Sequence, residues 1–197
     1  GDVNSTLAGA LAAVKLNIPI AHVEAGLRSF DRTMPEEINR LLTDAISDYL
    51  FVPSDDALEN LRREGIPDSK VFMVGDIMVD SLMFGRAKAK LSPILERLGL
   101  KQREFALLTL HRPATVDNRE VLAPIIDTLV ALGRQLPILF VAHPRTSGNL
   151  TKFGLDNKMI NLQGRVDGPG VYLIEPLGYL DFLRLISVAR FVLTDSG

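Results

Sequence analysis

The sequence has 197 residues, is 47% hydrophobic and carries a formal net charge of −2. That balance leaves no basic footprint for nucleic acid, and three Tyr with no Trp make no platform for stacked bases. Cysteine is absent, which excludes disulfides, a thiolate nucleophile and any Cys metal site. No apolar run reaches the roughly 18 residues of a membrane helix.

Gly1-Asp2 reads as the turn after a strand. Ser5–Leu16 is rich in Ala and Leu and predicts a helix capped by Asn4 or Ser5. Ile18–Val23 is short, apolar and β-branched, a buried strand ending near His22. Pro35–Ser47 predicts a helix with proline in its first turn and Glu36 and Glu37 at its positive end. Tyr49–Val52 is a strand, and Ser54 caps a helix through Arg63 that stops at Gly65. Val71–Val74 is a strand and Val79–Leu91 a helix, with a shorter one at Pro93–Leu98. Phe105–Leu110, Ile138–Ala142, Val171–Ile174 and Phe191–Thr194 are strands. Between them, Arg119–Arg134, Thr146–Phe153 and Tyr179–Val188 are helical. Asn161–Gly170 reads as a Gly-rich loop. This alternation predicts parallel α/β layers in two series that meet near Gly75-Asp76.

Candidate chemistry gathers where strands end. Glu24, Arg28, Glu36 and Arg40 fall within one strand–loop–helix unit, and Glu36 and Arg40 share a helix face at i,i+4. The carboxyl end of a parallel strand is where open α/β folds bind ligands. The same residues also fit a strand cap, a helix N-terminal charge and one surface ion pair. His111 and His143 each follow an apolar strand, with Arg112 and Arg145 beside them. His22 reads as structural, and Glu37 as a helix N-terminal charge. Asp55-Asp56 reads as helix N-terminal charge rather than a metal pair, and there is no metal-ligand spacing elsewhere.

The run His22-Val23-Glu24-Ala25-Gly26-Leu27-Arg28, with Pro35-Glu36-Glu37-Ile38-Asn39-Arg40 after it, resembles the signature of the bacterial non-hydrolysing UDP-N-acetylglucosamine 2-epimerases. Gly1-Asp2, Leu110-His111-Arg112-Pro113 with Asp117-Asn118, Ala142-His143-Pro144 and Leu193-Thr194-Asp195-Ser196-Gly197 agree with it in order. Asp117-Asn118 departs from the His-Arg-x-Glu-Asn version of that motif and matches its other version. The resemblance covers the whole sequence. It implies an internal fragment of a chain nearly twice as long, expected to be inactive in isolation. It also implies two Rossmann-like parallel-sheet domains of glycosyltransferase-B type, each incomplete. Residues 1–76 would be the latter part of the N-terminal domain. Residues 77–197 would be the first part of a C-terminal nucleotide-binding domain, with the ligand in the cleft between them.

The implied reaction interconverts UDP-N-acetylglucosamine and UDP-N-acetylmannosamine by loss and re-addition of UDP through 2-acetamidoglucal. It needs no cofactor. The resemblance assigns acid–base work at C2 to Asp2, Glu24 and Glu36, and the departing diphosphate to His111. Arg40, Arg112, Asn118, His143 and Phe182 stand at positions that bind or orient the substrate. Ser196 and Gly197 open a phosphate-binding loop. A cytoplasmic homodimer serving cell-envelope polysaccharide synthesis is implied, with UDP-N-acetylglucosamine as a possible effector. Three alternatives fit the same residues: a hydrolysing 2-epimerase, a glycosyltransferase of the same fold, and an inactive UDP-sugar-binding fragment.

Overall fold

The computed structural model describes residues 2–196. The chain divides into two compact units, one up to Leu82 and one from Met83. The division falls within the helix α4 (Ile77–Ala89), just after the predicted junction at Gly75-Asp76.

The first unit carries α1 (Asn4–Lys15), β1 (Ala21–Val23), α2 (Pro35–Ile46), β2 (Tyr49–Val52), α3 (Asp55–Arg63) and β3 (Val71–Met73). Its three strands run parallel in the order β1-β2-β3, so each helix between strands is a crossover. Leu50 and Val52 of β2 are fully buried against Ala57 and Leu61 of α3. Burying such side chains contributes about 1.5–3 kcal/mol each. β1 is shorter than the predicted Ile18–Val23. The Ile20 N–H leaves the ladder and donates to the Asp48 carboxylate at 2.9 Å. The expected cap on α1 also fails to form. Val3 holds the N-cap place, and the Asn4 side chain accepts instead from Asn39 Nδ2 on α2 at 2.9 Å. Ser54 takes the N-cap place of α3 without a side-chain capping bond.

The second unit contains α5 (Ile94–Leu98), β4 (Ala106–Thr109), α6 (Pro113–Val116), α7 (Arg119–Gly133), β5 (Pro137–Val141) and α8 (Pro144–Lys152). It continues with β6 (Ile160–Asn161), β7 (Gly170–Ile174), α9 (Tyr179–Val188) and β8 (Val192–Thr194). The five strands are parallel in the order β6-β7-β5-β4-β8. Alternate residues face opposite layers. Ala106, Leu108, Ile138 and Phe140 pack with Leu122, Ile126 and Leu150 of α7 and α8. Leu107 and Leu139 pack on the other face with Ile94 and Leu185 of α5 and α9. Helices on both faces make a doubly wound layer. The two-residue β6 and the single-turn α6 were not expected from the sequence. β6 is an edge strand, and its continuation Leu162 N–H donates to Leu173 O at 3.0 Å. The strand order reverses at β4, which has β5 on one side and β8 on the other.

Candidate functional site

In the first unit the site grows from the end of β1. Glu24 lies in the left-handed region at φ 74°, which costs a non-glycine residue roughly 1–2 kcal/mol. The N–H groups of Glu24 and Ala25 both donate to Phe51 O on β2, at 3.1 and 3.0 Å. Gly26 follows at φ 80°, and a Cβ there would lie 2.4 Å from Ala57 O. Only glycine fits between this turn and α3. Asn60 of α3 donates to Gly26 O at 3.0 Å.

Asp44 of α2 fastens the turn from inside. Its carboxylate accepts from Gly26 N–H at 3.0 Å, faces His22 Nδ1 at 2.6 Å, and pairs with Arg28 Nη2 at 2.8 Å. Arg28 also grips Glu64 through two bonds, at 2.7 and 2.6 Å. Burial works against the Arg28 charge, but the bonds to Glu64 and Asp44 outweigh it and raise its pKa. His22 is buried, with its Nδ1 against this carboxylate.

Asp2, Glu24, Leu27 and Arg40 line a cavity of about 90 Å³. Arg40 Nη2 holds Asp2 at 2.7 Å and Arg40 Nη1 holds Glu37 at 3.0 Å. Arg40 thus pairs at i,i+3 with Glu37 and across the chain with Asp2 rather than at the expected i,i+4 with Glu36. Glu36 is half-buried in the first turn of α2 and is not among the residues lining that cavity. Glu37 is more than a helix-end charge. It is buried and accepts from Ser29 N–H at 2.9 Å, Ser29 Oγ at 3.0 Å and Phe30 N–H at 3.1 Å. Burial pushes its pKa up, but the Ser29 and Phe30 donors and the Arg40 charge outweigh that and hold it below the usual glutamate range.

In the second unit, polar groups gather at the carboxyl ends of β4, β5 and β8. His111 and Arg112 follow β4. Their N–H groups donate to the Asp195 carboxylate after β8, at 3.0 and 2.8 Å, and His111 Nδ1 lies 3.2 Å from it. Ser196 Oγ meets Thr194 Oγ1 at 2.9 Å, and Thr194 Oγ1 meets Thr109 Oγ1 at 3.1 Å. Gly197 lies outside the described residues. Asn118 caps α7, its Oδ1 accepting from Glu120 N–H at 2.9 Å. His143 caps α8 in the same way, Nδ1 accepting from Arg145 N–H at 3.3 Å. The Arg145 guanidinium is engaged by Asp117. Beside β5 and β7 opens a cavity of about 1100 Å³, lined in part by Ala142, Pro144, Ser147, Ile174, Glu175 and Leu177. Phe182 of α9 is half-buried and packs against the core beneath.

The roles of Asp44, Glu37 and Asp195 were missed by sequence reasoning. Glu37 and Asp195 each stood in a quoted run, Pro-Glu-Glu-Ile-Asn-Arg and Thr-Asp-Ser-Gly, whereas Asp44 carried no signal. Among the described residues, no group of three or more His, Asp or Glu is placed to hold a metal ion, and no helix is long and apolar enough to cross a membrane.

Parallel sheets in two Rossmann-like units, with polar side chains at the strand ends, define an α/β protein of the glycosyltransferase-B class. The sequence model of the family described as UDP-N-acetylglucosamine 2-epimerase matches residues 1–197. The chain belongs to that family. It is 44% identical over 203 residues to the UDP-N-acetylglucosamine 2-epimerase of Methanococcus maripaludis, covering 100% of this chain and 54% of that one. It is 45% identical over 201 residues to the UDP-2,3-diacetamido-2,3-dideoxy-D-glucuronate 2-epimerase of Pseudomonas aeruginosa, covering 100% and 52%. Among solved structures it matches the Methanocaldococcus jannaschii UDP-GlcNAc 2-epimerase in complex with UDP-GlcNAc and UDP. The TM-score is 0.86 at 46% identity, over 100% of this chain and 54% of that one. The chain spans about half the length of the curated relatives it matches.

Proposed function

We propose that this chain is part of a non-hydrolysing UDP-N-acetylglucosamine 2-epimerase. The observation that carries this reading is the cluster of Asp2, Glu24 and Arg40 around one small cavity at a strand end, in a chain of this family. The C2 hydrogen of the sugar is not acidic, so inversion needs a route other than direct deprotonation. In the proposed route UDP first leaves C1 with the C1–O electron pair, which makes the C2 hydrogen acidic. A carboxylate then takes the C2 proton, and the C2–H electron pair becomes the C1=C2 bond of 2-acetamidoglucal. Re-addition of UDP at C1, with protonation of C2 from the opposite face, gives UDP-N-acetylmannosamine. No net oxidation occurs.

Asp2, Glu24 and Glu36 are assigned the proton transfers and Arg40 the orientation of Asp2. His111 is assigned to the departing diphosphate, with Arg112. His143, Asn118, Phe182, Ser196 and Gly197 are assigned to the nucleotide side of the substrate. Residues 1–76 are the latter part of the domain that does the proton chemistry, and 77–197 the first part of the nucleotide-binding domain. The enzyme is proposed to be a cytoplasmic homodimer that feeds envelope polysaccharide synthesis, with UDP-N-acetylglucosamine as a further effector.

A second reading of the substrate is favoured by the relative named for a diacetamido glucuronate. The same C2 inversion would then act on a sugar carrying a carboxylate and a second acetamido group. Incubating the whole protein with each nucleotide sugar in D2O and following the C1 and C2 protons by NMR tests both. Deuterium at C2 of UDP-N-acetylmannosamine is the expected result. Deuterated epimer of only the diacetamido sugar would move the assignment to that substrate. Free N-acetylmannosamine as the first product would move it to the hydrolysing class.

A further inference from the structure

We infer that Asp195 is a positioning residue for His111, holding the imidazole in the tautomer that carries its proton on Nδ1 and leaves Nε2 to the ligand. The inference rests on the role of His111 proposed above. Its geometry stands on the second unit alone.

β4 is where the strand order reverses, with β8 on its far side, and ligands of open α/β sheets bind outside the carboxyl ends of strands at such a point. His111 and Asp195 are the first polar residues past these two strands. Their strands are in parallel register, with Thr109 opposite Thr194. The Asp195 side chain is 9% exposed and that of His111 54%, so the carboxylate lies beneath the ring. Asp195 Oδ2 accepts from His111 N–H at 3.0 Å and Arg112 N–H at 2.8 Å. Those two bonds fix the carboxylate against the backbone that carries the ring. Its Oδ1 lies 3.2 Å from His111 Nδ1.

An ionised carboxylate has only acceptors to offer. A bare ring nitrogen 3.2 Å from it is disfavoured by charge, so the neutral imidazole keeps its proton on Nδ1. Nε2 is then an acceptor in the neutral ring and a donor in the imidazolium. A diphosphate leaving C1 presents acceptor oxygens. The imidazolium can give its Nε2 proton or hydrogen bond to the leaving oxygen and recover it on re-addition, while Nδ1–H stays beside the Asp195 carboxylate. The opposite tautomer would face Asp195 with a lone pair and be repelled. A third group orienting the base is a recurrent device of acid–base sites.

The test reads the tautomer directly. The protein has three histidines, and the spectrum of His111→Asn identifies the His111 signals among them. Long-range proton–nitrogen correlation on 15N-labelled protein, above the pH of imidazole titration, should show Nδ1 protonated and Nε2 bare. Asp195→Asn keeps an acceptor for the backbone amides but can turn its NH2 to the ring. It should flip the tautomer and lower kcat for epimerisation by about 10²-fold or more, with a smaller change in KM. In a His111→Asn background, Asp195→Asn should cost less than about 3-fold further, because its effect runs through the ring. A wild-type ring protonated on Nε2 overturns the inference without any variant. An unchanged tautomer in Asp195→Asn, or a further loss of about 10-fold or more in the double variant, also overturns it. The expected tautomer in a protein that does not epimerise would keep the positioning role and reject the proposed reaction.

Discussion

Arg28 and Asp44 form an ion pair at 2.8 Å in which each side chain is 1% exposed. A pair this deep costs much to desolvate, and removing Asp44 leaves the buried Arg28 with Glu64 alone and takes the acceptor from His22 and the Gly26 amide. Asp44→Ala should therefore destabilise the first unit by about 3–5 kcal/mol. Amide exchange at the buried Leu50 and Val52 reads that unit alone. Protection unchanged by Asp44→Ala would mean that the pair contributes nothing to the fold.

Glu37 gives the first unit a pH dependence of known sign. Its folded pKa lies below its unfolded value. The carboxylate therefore contributes stability that is complete above the ordinary glutamate value of about 4.3 and is lost as pH falls through the lower folded value. Between about pH 5 and pH 3, the first unit should lose stability more steeply in the wild type than in Glu37→Gln. Equal slopes would detach the acid response from Glu37.

Two glycines should respond in opposite directions. Gly26→Ala combines a left-handed backbone with a Cβ 2.4 Å from the Ala57 carbonyl oxygen, and should cost more than about 2 kcal/mol. Gly9 lies within α1 with nothing within 4 Å of a Cβ. Gly9→Ala should stabilise by about 0.5–1 kcal/mol through helix propensity and lost chain entropy. Thermal or urea unfolding of the pair checks both signs in one experiment.

For the proposed chemistry, Glu24→Gln, Glu36→Gln and Asp2→Asn should each slow deuterium entry at C2 by about 10²-fold or more in the whole protein. Folded variants that all turn over normally would remove these three from the acid–base role. His111→Asn should depress both epimerisation and 2-acetamidoglucal release with a modest change in UDP affinity.

Where one local rule governs, the sequence is easy to read. β2 and α9 fall on the predicted Tyr49–Val52 and Tyr179–Val188, since an apolar run and a helical period each settle the matter. The misread positions are those decided by distant partners. Asn4 has a neighbouring helix start to cap, yet it accepts from Asn39, 35 residues away. Arg40 has Glu36 at the favoured spacing, yet it pairs with Glu37 and with Asp2, 38 residues away. The signature around Glu24 was visible, but its support was not. Asp44 sits in an ordinary helical stretch, and its bond to the Gly26 amide exists only once α2 has docked.

The placement of β8 also sets an order of assembly. The hydroxyls of Thr109 and Thr194 touch across 85 residues of chain. Contacts of such separation form slowly, because a long loop must close before any pairing energy returns. β5, β6 and β7 all precede β8 in synthesis, which proceeds at roughly 5–20 residues per second. For that interval β4 presents an unpaired edge, the kind of surface that recruits strands from other nascent chains. His111 has no carboxylate beneath it until the same moment. Docking of β8 covers that edge of β4 and brings Asp195 to His111 in one step, so a variant that delays it would lower the yield of folded protein before it lowered the stability of what does fold.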